Sequence, residues 1–257
     1  QSPDGALYLV DYGRSFFRAN PEAAIYRIYD KEATARGSSG GAVEESANAA
    51  SVVSTTSVLA DEFNELNLDV WELWGTNPNA KVEAVNGQLR LSGFHTSGWD
   101  FNQRGIVLRE PIDLTGQVTT ITVKYVQAGH NEQNVAFSDG IHHGTDMQTG
   151  DIWNRNGFRL QVQPNSITAQ AHNGADGSFS GITATVSAPY TLTWVIIDQG
   201  GTFVSEVFVN GRSVGKATHN MGSLNPAKLY FYLYASNNAN AGPTVIDSVT
   251  IEQKPVI

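Results

Sequence analysis

The stretch from residue 190 to residue 217 reads YTLTWVIIDQGGTFVSEVFVNGRSVGKA, and it decides the fold. Its apolar side chains recur at alternate positions over Tyr190–Asp198 and Thr202–Val209. Alternation with a period of two predicts a β-strand that turns one face to a core and the other to water. The dipeptide Asn210-Gly211 follows the second run directly, and both positions of a two-residue hairpin turn favour positive φ. The stretch therefore predicts antiparallel strands joined by tight turns.

The same pattern recurs through most of the chain after residue 60, between Gly, Asn, Asp and Pro residues that mark turns. A second hairpin dipeptide is Asn86-Gly87. The further strand-like runs are Gln88–Ser92, Val118–Gln127, Gly157–Gln163, Lys228–Ala235 and Thr244–Glu252. Many short strands over about 195 residues predict an all-β protein with an antiparallel two-sheet jelly-roll sandwich and an N-terminal, strand-containing extension.

Three zones of different composition divide the chain. Residues 1–32 form a two-strand N-terminal segment, 33–60 a low-complexity linker without aromatic residues, and 61–257 the predicted sandwich. Small polar residues bury too little apolar area to offset chain entropy, so a linker is expected. Residues 51–59 are rich enough in β-branched side chains to join a sheet. The chain opens without an initiator Met, so we expect it to be a processed piece of a longer polypeptide.

The composition narrows the class of protein. Charged residues make up 16% of the chain, against about 25% in ordinary soluble domains. The formal net charge of −9 disfavours nucleic acid, because phosphate binding needs a basic face. Cysteine is absent, which excludes disulfides, thiolate metal sites and cysteine nucleophiles. No apolar run has the length of a membrane helix. We therefore predict an extracellular or cell-surface protein without nucleic-acid partners or membrane insertion.

The decisive stretch resembles the strand–hairpin–strand of concanavalin-A-like lectin/glucanase jelly rolls, including laminin-G-like modules. Those carry a similar "W-x-v … v-y-v-N-G-r-x-v-g" pattern. Asp61–Asn64 with Asn86–Leu91 is similar to the first strands of that superfamily, and Val245–Ile251 to the last. The resemblance covers most of 61–253. It implies a fold and leaves the function open, because the superfamily includes lectins, glycanases, lyases and adhesion modules.

The N-terminal zone resembles something else. Ser2–Gly13, followed by Ala24–Tyr29, is similar to a blade motif of secreted sugar-dehydrogenase-type β-propellers. One blade cannot close a propeller, so the cofactor chemistry of that family is not implied. The alternative is that the two strands pair with the sandwich or with a neighbouring chain.

Two turn-rich segments, 93–102 and 139–155, concentrate aromatic and polar side chains. Proteins hold sugars by apolar stacking on a ring together with directional hydrogen bonds. A solvated loop whose Trp caps the core, and a metal or a lyase base built from His and Asp, are the alternatives. His172 and His219 are predicted to be ordinary turn residues. The candidate ligand-binding residues are Trp99, Asp100, Asp139, His142, His143, Asp146, Trp153, Asn154 and Arg155.

Catalysis is not predicted. A retaining glycanase needs two carboxyl groups about 5–5.5 Å apart, which on one strand face requires even sequence offsets. The Glu-x-Asp-x-x-Glu motif of laminarinase-type relatives does not occur here. Within 61–257 the only acids at offsets of two or four are Asp61/Glu65 and Glu65/Asp69, in the segment that opens the predicted sandwich. The chain also lacks a Gly-x-Ser-x-Gly elbow, a phosphate loop and a dinucleotide fingerprint.

A structural calcium ion is implied by the resemblance. Similar jelly rolls often hold one with a carboxylate on the first strand, one on the last strand and nearby backbone carbonyls. The matching positions are Glu62 and Asp247, and oxygen ligands suit a hard cation. The competing interpretation is that Asp247 only caps a strand end.

These observations predict two functions from different classes, and a third is less favoured. The first is a non-catalytic extracellular module that binds glycan or another component of the cell surface or matrix. The second is a self-assembling subunit of an extracellular filament or surface layer. Its self-association through residues 5–59 would add 5–12, 25–29 and 51–59 as strands to an adjacent sheet edge. The third, least favoured, is a polysaccharide-degrading enzyme.

Overall fold

The computed structural model describes residues 7–11, 24–28, 54–75, 77–94, 103–141, 157–172, 177–200, 202–220, 224–238 and 242–256. The chain divides into two compact units, Gln1–Val52 and Val53–Ile257. In the first unit, β1 (Leu7–Asp11) and β2 (Ala24–Ile28) form an antiparallel pair in which Leu9 lies opposite Tyr26.

All regular elements described in the second unit are β-strands. They are β3 (Thr56–Asp61), β4 (Trp71–Gly75), β5 (Lys81–Ala84), β6 (Leu89–Ser92), β7 (Gln103–Leu108), β8 (Gln117–Gln127), β9 (His130–Ser138), β10 (Gly157–Gln163), β11 (Ser166–His172), β12 (Gly177–Thr185), β13 (Tyr190–Asp198), β14 (Thr202–Val209), β15 (Arg212–Asn220), β16 (Tyr230–Asn238) and β17 (Thr244–Pro255). Within the described ranges, no helix is long and apolar enough to span a membrane.

The strands of the second unit form two antiparallel sheets. The seven-stranded sheet has the order β12-β11-β10-β9-β16-β7-β4. The eight-stranded sheet has the order β15-β14-β13-β8-β17-β6-β5, with β3 also paired to β17. The prediction of an all-β, antiparallel two-sheet sandwich is thus confirmed.

Both hairpin dipeptides form the turns that their sequences predict. Asn86 and Gly87 have φ of 55° and 71°, and they join β5 to β6. Asn210 and Gly211 have φ of 50° and 77°, and they join β14 to β15. Positive φ at both positions defines the turn whose twist matches that of paired strands.

The main core lies between the two sheets and is rich in aromatic side chains. Along β13 the side chains at 190, 192, 194 and 196 are buried and those between them are partly exposed. Trp194 is fully buried and meets Phe158 edge-on, with ring centroids 5.5 Å apart. Burial of one such side chain contributes about 1.5–3 kcal/mol. The alternation read in the sequence therefore corresponds to one core-facing row on each strand.

The strands near the predicted linker are paired within the chain. Thr56–Asp61 lies along the last strand, with Ala60 opposite Thr250 and Leu59 opposite Ile251. Leu59 also packs against the main core. Among the described residues of the three segments predicted to join a neighbour's sheet, those in 5–12 and 25–29 pair with each other and those in 51–59 pair with β17.

Candidate functional site

The face of the seven-stranded sheet that points away from the main core carries a second set of buried side chains, here called the outer face. Val135 and Phe137 of β9 point into the main core, so Ala136 between them and Asn134 before them point to the outer face. A separate hydrophobic cluster on this face consists of Trp74, Val107, Ala136, Tyr232 and Tyr234, with Ile141 and Tyr230 packed against it.

Three aromatic rings organise this cluster. Trp74 of β4 meets Tyr232 edge-on at a centroid distance of 5.3 Å and Tyr234 at 4.9 Å. The Tyr232 hydroxyl donates a hydrogen bond of 2.5 Å to the Gly140 carbonyl. Edge-to-face ring pairs contribute about 0.5–1.5 kcal/mol beyond the area that they bury. The rings therefore hold the chain just after β9 against the outer face.

A buried polar network lies beside the aromatic rings. Arg159 Nη1 of β10 lies 2.7 Å from Glu132 Oε1 of β9 and donates a hydrogen bond of 2.8 Å to the Tyr234 hydroxyl. Ser236 Oγ donates to Glu132 Oε2 at 3.2 Å. The positive charge of Arg159 and the negative charge of Glu132 cancel, so this pair has no net charge.

Asn134 lies at the centre of the outer face. It is 1% exposed, and neither its Nδ2 nor its Oδ1 has a hydrogen-bond partner. In the register of the sheet it lies opposite Tyr234 on one side and Gln161 on the other. Most buried polar side chains in folded proteins are paired, so an unpaired carboxamide requires an explanation.

The sequence-predicted ligand residues fall mostly outside the described residues. Asp139 is described: it follows β9, is exposed, and accepts a hydrogen bond of 3.4 Å from Ser138 Oγ. The predicted ligand residues that lie outside the described ranges are Trp99, Asp100, His142, His143, Asp146, Trp153, Asn154 and Arg155.

The two predicted loop segments attach at opposite ends of the outer face. Segment 93–102 leads into Gln103, which lies opposite Ser236 and so at the level of Glu132. Segment 139–155 begins after Ser138. Glu132 and Ser138 are separated by about 20 Å along β9 at about 3.3 Å per residue. The aromatic and polar side chains of the outer face lie between these two attachment points.

The prediction that His172 and His219 are turn residues is wrong, since both belong to strands. His219 is 1% exposed, and its Nε2 lies 2.9 Å from Ser205 Oγ inside the main core. Burial lowers the pKa of His219 to about 4. Its Nδ1 has no partner, so the pair lacks the carboxylate of a catalytic triad.

The two predicted calcium ligands lie near a gap in the eight-stranded sheet. On one side, β17 pairs with β6 as far as Ile246 and then with β3 from Val249 onward. Asp247 lies in the interval, where the register with β8 also shifts. Its Oδ1 is 3.5 Å from Gln88 Nε2. The carboxylate is therefore on a bulged part of the last strand and is partly exposed.

The chain after β3 brings further oxygen atoms to this region. A Cβ added to Gly87 would lie 3.5 Å from Asn64 Oδ1 and 4.0 Å from the Glu62 carbonyl oxygen. Among the described residues no three His, Cys, Asp or Glu side chains form a metal-binding group. Carboxamide and carbonyl oxygens are nevertheless good calcium ligands. Asp247, Asn64 and the Glu62 carbonyl therefore supply oxygen donors of the type that a hard cation takes.

The described part of the outer face holds no close pair of carboxylates. Glu132 is bound to Arg159, and Glu72 is bound to Arg109 at the sheet edge with an N–O distance of 3.1 Å. The strands that carry the two glutamates are three positions apart, which is at least about 14 Å. Glycosidases need carboxyl groups within about 5–9.5 Å.

Solved structures with a similar fold include lectin domains and a glucanase. A mutant of the Emp46p carbohydrate recognition domain has a TM-score of 0.57 at 15% identity, and the matched region covers 76% of this chain and 94% of the Emp46p chain. The VIP36 exoplasmic/lumenal domain, bound to Ca²⁺ and Man3GlcNAc, has a TM-score of 0.55 at 12% identity (77% and 88%). The endo-1,3-β-glucanase of Streptomyces sioyaensis has a TM-score of 0.51 at 13% identity (79% and 97%).

No family model and no curated protein sequence matches the chain. The similar solved structures show that the second unit has the concanavalin-A-like jelly-roll fold of lectins and glucanases, as the sequence resemblance implies. At these identities the likeness defines the fold alone.

Proposed function

We propose that this protein is a non-catalytic extracellular module that binds glycan on a cell surface or in a matrix. The observation that carries the proposal is the outer face, where the buried rings of Trp74 and Tyr234 lie beside the unpaired carboxamide of Asn134. Rings with neighbouring directional polar groups are the elements of a sugar site. The carbohydrate recognition domains among the similar structures support glycan as the ligand class.

The predicted loop residues complete this proposal. Asp139 stands just beyond the end of β9 at one end of the outer face. Trp153, Asn154 and Arg155 belong to the same connection between β9 and β10. Trp99 and Asp100 belong to the connection that enters β7 at the other end. A glycan chain that extends along the outer face would contact residues of both connections.

A hydrolytic function is the weaker proposal. A glucanase occurs among the similar structures, so the fold alone does not decide between binding and cleavage. The one deeply buried carboxylate on the described outer face, Glu132, is neutralised by Arg159. A general acid must reach the leaving oxygen of the bound glycan, and Glu132 is 6% exposed and held by Arg159 and Ser236.

Calcium enters the proposal as a structural ion. Asp247, Asn64 and the Glu62 carbonyl would hold it at the gap between β3 and β6. When bound, the ion would supply positive charge that offsets part of the net charge of −9 and would join the first and last strands of the second unit.

The experiment that tests glycan binding is a glycan array probed with the full-length protein, with calcium and again with excess EDTA. Binding to a defined set of glycans supports the proposal. A dark array under both conditions overturns it. Incubation with the glycans that bind, followed by chromatography of the products, separates the two functions, because release of shorter saccharides would establish an enzyme.

A further inference from the structure

The Arg159 side chain passes the level of the unpaired carboxamide of Asn134. Arg159 lies opposite Ala136 in the register of β10 and β9. Its guanidinium nevertheless reaches Glu132, which is four residues further along β9. The side chain therefore crosses the level of Asn134 on its way to the ion pair. Tyr234, which lies opposite Asn134 on β16, holds the same guanidinium through its hydroxyl.

This arrangement costs stability. An amide group buried without a hydrogen bond destabilises a fold, because its desolvation is not compensated. Asn134 carries both an unpaired donor and an unpaired acceptor, while Glu132 and Ser236 on the same face are bonded to each other. A leucine would fill a similar volume without this penalty. The carboxamide therefore has a role other than folding.

We propose that Asn134 is a specificity-determining residue of the glycan site and selects a neutral sugar that presents two adjacent hydroxyl groups. This inference rests on the proposed glycan-binding function. One hydroxyl accepts a hydrogen bond from Nδ2 and the next donates one to Oδ1, so the pair satisfies both unpaired groups together. Because Asn134 is 1% exposed, binding requires the aliphatic part of the Arg159 side chain to shift while its guanidinium stays paired with Glu132.

The charges around Asn134 determine the class of sugar. The positive charge of Arg159 already has Glu132 as its partner at 2.7 Å. An acidic sugar would have to displace Glu132, which would leave a buried carboxylate uncompensated, and breaking a buried ion pair in this way is strongly unfavourable. A neutral sugar needs only hydrogen bonds. The site therefore favours neutral sugars over uronic acids.

Isothermal titration of the full-length protein with three probes tests this inference. The probes are mannotriose and laminaritriose, which are neutral, and trigalacturonic acid, which is acidic. We expect at least one neutral trisaccharide to bind at least tenfold more tightly than the acid. Asn134→Leu should weaken that binding at least tenfold while its unfolding midpoint in urea stays equal or rises. A purely structural role for Asn134 would instead lower the midpoint.

A control variant and the possible results distinguish failure of the inference from failure of the proposed function. Gln253→Leu removes a carboxamide from the other sheet, where Gln253 bonds Asp113 and Thr119, and should leave affinity unchanged. Asn134→Ala replaces the leucine variant if that one does not fold. Unchanged affinity in an Asn134 variant, or equal affinity for the acidic probe, overturns the inference while glycan binding stands. Absence of all glycan binding, on the array and in titration, overturns the proposed function and the inference with it.

Discussion

Arg159 Nη1 lies 2.7 Å from Glu132 Oε1, and the two side chains are only 5% and 8% exposed. The pair joins adjacent strands of the seven-stranded sheet on the face opposite to the main core. A buried ion pair is a weak contributor as a unit, because desolvation offsets its attraction, but each partner depends strongly on the other. The outer face is therefore sensitive to any change that removes one charge alone.

Glu132→Gln should destabilise the protein by about 3–5 kcal/mol, since it leaves the buried guanidinium of Arg159 without a counter-charge. Urea unfolding followed by tryptophan fluorescence measures the change. Glu72→Gln is the matched control, because Glu72 pairs with the half-exposed Arg109 and exposed pairs contribute at most about 1 kcal/mol. Equal losses in the two variants would contradict the assignment of a buried pair.

His219 should make stability depend on pH between about 6.5 and about 4. Burial holds its pKa near 4 in the folded protein, while the unfolded chain titrates near 6.5. In this window the unfolded state binds the proton and the folded state does not, so the free energy of unfolding falls as pH falls, by up to about 3 kcal/mol. In His219→Phe, urea unfolding across this range should show a flatter pH dependence; an unchanged slope would contradict the assignment.

The strands that the sequence predicts correctly are those with one solvent-exposed face. Tyr190–Asp198 and Thr202–Val209 have the predicted bounds, because polar residues on the solvent side make the period of two visible. β9 was missed because all its side chains from Glu132 to Ser138 are buried, so no alternation appears in NEQNVAFS.

The burial of polar side chains also explains why Glu132, Asn134 and Arg159 were not predicted as site residues. Glu132, Asn134 and Arg159 are polar, and polar residues in a strand indicate a solvent-facing side. Here that side is buried, and it carries a second hydrophobic cluster that includes Trp74 and Tyr232. The one available signal was a run of polar residues leading directly into Val135-Ala136-Phe137, which is unusual for a turn. His219 was misread because only the small Ala217 directly precedes it in alternation.

Asp247→Asn should weaken calcium binding at least tenfold, because a neutral carboxamide replaces a charged ligand at the gap between β3 and β6. Isothermal titration of the full chain with CaCl₂ measures the affinity. Asp113→Asn is the control: Asp113 caps a turn by accepting from the Thr115 amide and is not near Asp247 in the described strands. Equal affinity in wild type and Asp247→Asn would remove the assignment, and the strand-capping interpretation of Asp247 would then apply.

The position of β3 makes a prediction about truncation and self-association. A chain that begins at residue 54 keeps Thr56–Asp61 paired with β17, whereas one that begins at residue 62 loses that strand and the packing of Leu59. We expect the shorter chain to melt at least about 4 °C lower, which corresponds to at least 1 kcal/mol for a unit of this size, by differential scanning calorimetry. Equal melting temperatures would show that β3 adds nothing to the sandwich.

Light scattering of the full chain and of the chain from residue 54 tests assembly through the N-terminal strands. If the full chain forms larger particles at higher concentration and the chain from residue 54 does not, the filament subunit is established as the second function.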